Sequence, residues 1–160
     1  MKNIGLTLFT IVVVFPSWKS EQEIAKLISY RIYYMNYGTF TPHGLNKFDL
    51  ITRVENNVLT NEMFKFDSIY QEKKIAYMDS ILKRDCCINN IFHKVASQKH
   101  TKCRLKNPYP IDCRMVIALS YSDNIQHFLS FSRTNLMGID NDVVRKNKKI
   151  EKAFFQDLGL

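Results

Sequence analysis

Cys113-Arg114-Met115-Val116-Ile117-Ala118-Leu119-Ser120-Tyr121-Ser122-Asp123-Asn124-Ile125-Gln126-His127-Phe128-Leu129-Ser130-Phe131-Ser132 is the stretch on which the fold turns. Met115, Ile117, Leu119 and Tyr121 alternate on one side, Ser122-Asp123-Asn124 has the chemistry of a turn, and Ile125, His127, Leu129 and Phe131 alternate again. A period of two on either side of polar turn residues predicts a β-hairpin, here with strands over 112–121 and 125–134.

Upstream of this hairpin the pattern is mostly helical. Ser20-Glu21-Gln22-Glu23 reads as a capping box, and Ile24, Leu27, Ile28, Ile32 and Met35 then share a stripe that Gly38 ends, which predicts a helix. Its other faces carry Tyr30, Tyr33, Tyr34 and Tyr37. Leu45, Phe48, Ile51 and Val54 predict a second, shorter helix ending near Asn56-Asn57. Met63–Asp67 alternates as a strand. Ser68-Ile69-Tyr70-Gln71 reads as another capping box, before a helix carrying Ile75, Met78, Ile81 and Leu82 on one face.

From Cys86 onward strands are expected over 87–96 and 101–106 as well as in the hairpin. Residues 143–155, interrupted by Lys146-Asn147-Lys148-Lys149, fit either a last hairpin or a short helix. Helices followed by an antiparallel meander, without repeats or linker-like tracts, predict one α+β domain. Two or three helices would pack on a curved antiparallel sheet.

The N-terminus assigns the compartment. Lys2 precedes an uncharged apolar run, Ile4–Phe15, and Pro16-Ser17 breaks it. That run is too short to cross about 30 Å of hydrocarbon and has the layout of a secretory signal peptide. Residues 1–20 are therefore expected to be the signal and 21–160 a single secreted, extracellular domain. No later run is long enough to span a membrane. Twenty-one of the 23 basic residues and all 15 acids follow residue 20, so the remainder has a net charge of about +6. No Asn-x-Ser/Thr acceptor occurs, which excludes N-glycosylation of the usual kind.

In an oxidising compartment Cys86, Cys87, Cys103 and Cys113 are expected to form two disulfides. A bond between the adjacent Cys86 and Cys87 is disfavoured by their α-carbon separation of about 3.8 Å. Two pairings remain, Cys86–Cys103 with Cys87–Cys113, or Cys86–Cys113 with Cys87–Cys103. Each loop is worth about 3 kcal/mol by the chain-entropy model. Zinc is disfavoured by the cysteine spacing, and none of His43, His93, His100 and His127 falls in an HExxH or HxH pattern. No metal or cofactor is expected.

In element order the chain resembles the NTF2-like superfamily, and within it the small secreted NTF2-like proteins common in nematodes. The matching stretches are Glu21–Asn56 for a helix pair, Met63–Leu82 for strand plus helix, Cys113–Thr134 for central strands, and Lys148–Phe155 for a closing strand. The resemblance implies a sheet wrapped into a cone around a cavity. No family catalytic motif is matched, so no functional residue is carried over, and Cys86-Cys87 departs from the family's pattern. The cystatin fold is the runner-up, but its Gln-x-Val-x-Gly and Pro-Trp inhibitory signatures are absent.

The functional expectation is a non-catalytic secreted domain that binds a small apolar ligand, a protein partner or a second copy of itself through a helix–sheet cavity or sheet face. One alternative is a small cone-type enzyme, with His127 and Asp67 as its acid/base pair. A third reading uses two basic clusters for anionic glycans or membrane surfaces. The first comprises Lys94, Lys99, His100, Lys102, Arg104 and Lys106, the second Arg145, Lys146, Lys148, Lys149 and Lys152. Nucleic acid is the less natural partner for a secreted chain, and no aromatics interleave with these cations in a stacking pattern.

Overall fold

The computed structural model describes residues 25–39, 44–56, 63–69, 71–92, 103–105 and 111–159. The expected signal peptide, the expected Ser20–Glu23 capping box, His43, His93, His100, Lys94, Lys99, Lys102 and Lys106 lie outside these residues. The expected hairpin forms, as β3 (Cys113–Tyr121) and β4 (Gln126–Ser132). Asn124 takes a left-handed φ of 62° in its turn, a conformation that asparagine tolerates better than most residues.

Around this hairpin the chain builds an open, six-stranded, wholly antiparallel sheet in the order β2-β1-β3-β4-β5-β6. Here β1 is Leu27–Met35, β2 Met63–Asp67, β5 Leu136–Ile139 and β6 Asp142–Arg145. Four helices occur among the described residues: α1 (Lys47–Glu55), α2 (Glu72–Arg84), α3 (Cys86–Phe92) and α4 (Lys148–Asp157). The α+β class is as expected. None of these helices is long and apolar enough to cross a membrane.

Three local expectations are corrected. The stretch expected as the first helix is β1, second from one edge of the sheet and buried on both sides. Tyr30, Ile32 and Tyr34 enter the core under α2–α4, whereas Tyr33 and Met35 enter a second core under α1. A strand buried on both faces loses its period-two signature, so its apolar residues also fit a helical stripe. The strand expected from Cys87 is α3, with Ile88, Ile91 and Phe92 at helical spacing on its buried side. Lys148–Phe155 belongs to α4, not to a closing strand, so the described chain begins in a strand and ends in a helix.

The capping chemistry also lies elsewhere. Ser68 does not cap α2; its hydroxyl accepts from Tyr30 N at 2.8 Å and donates to Tyr30 O at 2.9 Å, pinning the end of β2 to β1. The formed capping box is at α1, where Asn46 Oδ1 accepts from Phe48 N and Asp49 N and the Asp49 carboxylate returns to Asn46 N. On α1 the buried residues are Leu50 and Val54, whereas Phe48 is 60 % exposed.

The sheet therefore separates two unequal layers. Below it, α2, α3 and α4 cover most of its width. Above it, α1 is the only helix among the described residues and packs over β1, β3 and β2. The other half of the upper face, over β4 and β5, has no helix on it among the described residues.

Candidate functional site

That uncovered half carries a hollow of about 400 Å3 between the start of α1 and the β5–β6 turn. Its floor is made of three small residues, Cys113 on β3, Ser130 on β4 and Gly138 on β5. Ser130 and Gly138 are directly paired across the ladder. A Cβ placed on Gly138 would lie 2.2 Å from Ser130 Oγ and 3.3 Å from Ile111 Cδ1. A side chain at 138 would force the Ser130 hydroxyl and the Ile111 methyl to shift and would fill part of the floor.

Asn46 and Lys47 form one wall, Ile111 and Asp112 a second, and Asp140, Asn141, Asp142 and Val143 a third. Lys47 latches helix to turn: its ammonium donates to Asp140 O at 2.6 Å and to Asn141 Oδ1 at 3.4 Å, and it lies 5.4 Å from the centre of the Phe128 ring. The carboxylates of the walls are paired. Asp112 accepts from Arg114 Nη2 at 2.8 Å and from Leu45 N at 3.1 Å, and Asp142 meets Arg104 at 2.8 Å. The Arg114 side chain is 1 % exposed and also donates to Thr39 O, so a buried cation holds this wall in place.

Asp140 is the residue through which the hollow reaches the lower face. It sits at a left-handed φ of 53° in the β5–β6 turn, accepts from Phe128 N at 2.8 Å, and lies 2.7 Å from His127 Nδ1. Burial opposes its ionisation, but the hydrogen bonds from His127 and Phe128 N, with the charges of His127 and Lys47, outweigh that and hold its carboxyl below the usual range. An ionised Asp140 accepts, so His127 presents Nδ1–H to it.

His127 itself is stacked on Phe92 of α3, ring centres 4.0 Å apart, and meets the Tyr121 ring edge-on at 5.6 Å. Its side chain is 14 % exposed. Asp67 is not its neighbour. Asp67 binds Arg31 at 2.7 and 2.9 Å on the β2–β1 side of the sheet, three strand spacings or about 14 Å from β4. The structure thus gives His127 a carboxylate partner, Asp140, that is not the one expected.

Of the two expected disulfides, one is present, Cys87–Cys103; Cys86 is free and exposed, and Cys113 is free and buried. The reason is which face each cysteine occupies. Cys87 and Cys103 pack against the lower core, whereas Cys113 belongs to the upper one, with the sheet between them. Burial pushes the Cys113 thiol up to about 11, only partly offset by its hydrogen bond with Ser130, so it stays protonated and poorly nucleophilic at neutral pH.

The second basic cluster is divided as well. Lys146 has a side chain only 7 % exposed and donates to Ser132 O at 2.5 Å and Glu151 at 2.8 Å. Arg145, Lys148, Lys149 and Lys152 are exposed. The tyrosines are absorbed by packing. Tyr30 donates to Asp157, Tyr37 to Glu151 and Tyr33 to Glu55, and Tyr34 meets Phe155 edge-on.

Gly138, Asp140, Asn141 and Lys47 were not singled out by the sequence reading. The available signal was a glycine inside the short apolar run Leu136-Met137-Gly138-Ile139, followed by the turn-forming Asp140-Asn141. No family model matches the chain, and neither a curated protein nor a solved structure is significantly similar to it.

Proposed function

We propose that this chain is a secreted, non-catalytic binding domain whose ligand is a small polar molecule held in the hollow between α1 and the β5–β6 turn. The observation that carries the reading is the Gly138–Ser130 pair. Small residues keep open a space within the roughly 300–1,000 Å3 typical of small-molecule sites, where a single added methyl would close on a hydroxyl. The walls present a hydroxyl, two amides, an ammonium and paired carboxylates, which suits a neutral or zwitterionic ligand rich in hydrogen-bonding groups better than an apolar one.

Binding is favoured over acid–base catalysis because His127 is stacked on Phe92 on the packed face. Secretion rests on the Ile4–Phe15 run and its Pro-Ser break. NTF2-like membership belongs to the same proposal; the strand and helix within Met63–Leu82 and the central hairpin support it, whereas β1 and α4 stand where the resemblance implies a helix and a closing strand.

The test is native mass spectrometry of the protein secreted from eukaryotic cells. The expected result is excess mass that is lost on denaturation and absent from Asn141→Trp, which covers the mouth from the exposed rim without touching the floor. If the wild type carries no ligand, and a panel of small polar molecules fails to raise its Tm, the binding reading is wrong. Retention of the leader in secreted material, or absence of the protein from the medium, counts against secretion separately.

A further inference from the structure

On the opposite face the Sγ atoms of Cys86, Cys87 and Cys103 all lie within 4.8 Å of one another. Cys87 and Cys103 are bonded, and the third sulfur is an exposed thiol at the start of α3. Cys86 lines a groove of about 520 Å3 between α2 and α4, with Tyr77, Ile81, Arg84, Lys149 and Ile150 on its walls. A free thiol therefore stands within 4.8 Å of both sulfurs of a disulfide and open to solvent, an arrangement that a purely structural staple does not need.

We infer that these three cysteines form a thiol–disulfide exchange centre with two covalent isomers. The Cys86 thiol loses its proton to solvent and its thiolate attacks Cys103 Sγ. The Cys86–Cys103 bond forms as the Cys87–Cys103 bond breaks, and Cys87 leaves as the thiolate and is reprotonated. Electrons balance within the triad, so no external oxidant or reductant enters. Attack goes to Cys103 rather than Cys87, because a bond between adjacent residues would join α-carbons about 3.8 Å apart, short of the usual disulfide span. Exchange moves the staple by one residue, or about 100° around α3.

Cys113 cannot take part. It lies across the sheet in the other core, and burial keeps its thiol protonated at neutral pH. It serves as the internal control.

The experiment is peptide mapping of the full chain held at pH 8 in the native state, quenched in acid, alkylated and fragmented so that the label is localised to Cys86 or Cys87. The expected result is two linked species, with at least about one-tenth as Cys86–Cys103, the share reached if the isomers differ by about 1.4 kcal/mol. Cys86→Ser should leave Cys87–Cys103 alone, and Cys87→Ser refolded in a glutathione buffer should close Cys86–Cys103 instead. Finding only Cys87–Cys103 at every time point, while Cys86 alkylates freely, overturns the inference. So does a Cys87→Ser protein that folds but leaves Cys86 and Cys103 reduced, or one in which Cys86 links only to a second chain.

Discussion

The two faces of the sheet are built from different side chains, and the difference is where a function has room to exist. Below, Tyr30, Ile32, Tyr34, Ile117, Leu119, Leu129 and Phe131 meet α2, α3 and α4 in one continuous core. Above, α1 covers β1 and β3, and the remaining floor is Cys113, Ser130 and Gly138. Large residues on one face supply the stability that lets small residues on the other leave a space unfilled. The free thiols follow the same division: Cys113 is sealed in the upper core and Cys86 is open on the lower side.

The largest expected effect lies on the packed face. Phe154 of α4 is fully buried and meets the Tyr30 ring edge-on at 5.4 Å. Phe154→Ala should lower unfolding free energy by ~3–5 kcal/mol in urea titration, with the hollow unaffected in any folded fraction. A cost below about 1 kcal/mol would mean that α4 is peripheral and the two faces are less unequal than they look.

The next effect is on the open face and has the opposite cause. Gly138→Ala drives a methyl onto Ser130 Oγ, so it should cost ~1–3 kcal/mol through overpacking rather than through a lost contact. In Ser130→Ala/Gly138→Ala the colliding hydroxyl is gone, and Ser130 Cβ stands 3.6 Å from the new atom. The double variant should therefore recover most of the single variant's loss in the same titration. An additive or larger loss would show that the strain lies in the strand backbone and not between these two side chains.

How much of this was legible in the sequence differs from element to element. The β3–β4 hairpin could be read because the Ser122-Asp123-Asn124 turn separates two alternating runs. The α1 and α2 segments could be read because each buries one side, and β2 because its residues alternate in type, although Met63 enters the upper core and Phe66 packs against the lower one. β1 could not, because it is buried on both sides and Leu27, Ile28, Ile32 and Met35 fit a helix as well as a strand. α3 was hidden by β-branched and small residues, although Ile88, Ile91 and Phe92 stand at helical spacing. β5 and β6 are four residues each, too short for a period to show. The hollow was illegible for a deeper reason. It depends on α1 meeting β4 at Phe128 while leaving Ser130 and Gly138 open, which no local pattern records. Likewise the cysteine pairing depends on which face each thiol occupies, and that follows only from the sheet register.

Asp140 joins the two faces, and its effect should be the smallest and the most specific. Its carboxyl is held below the ordinary value near 3.9, so the stability it contributes is present above that pH and is lost as pH falls through the folded-state value. With the side chain about one-third exposed, the contribution is discounted to ~1 kcal/mol. Asp140→Asn should therefore be less stable than the wild type by about that amount at pH 7, with the gap closing below about pH 4 as the wild-type carboxyl takes up its proton. Paired urea titrations from pH 7 down to pH 3 read this directly. A gap that stays constant to pH 3 would show that the turn needs the aspartate's shape and not its charge, and that the hollow and His127 are not linked by an ionised carboxylate.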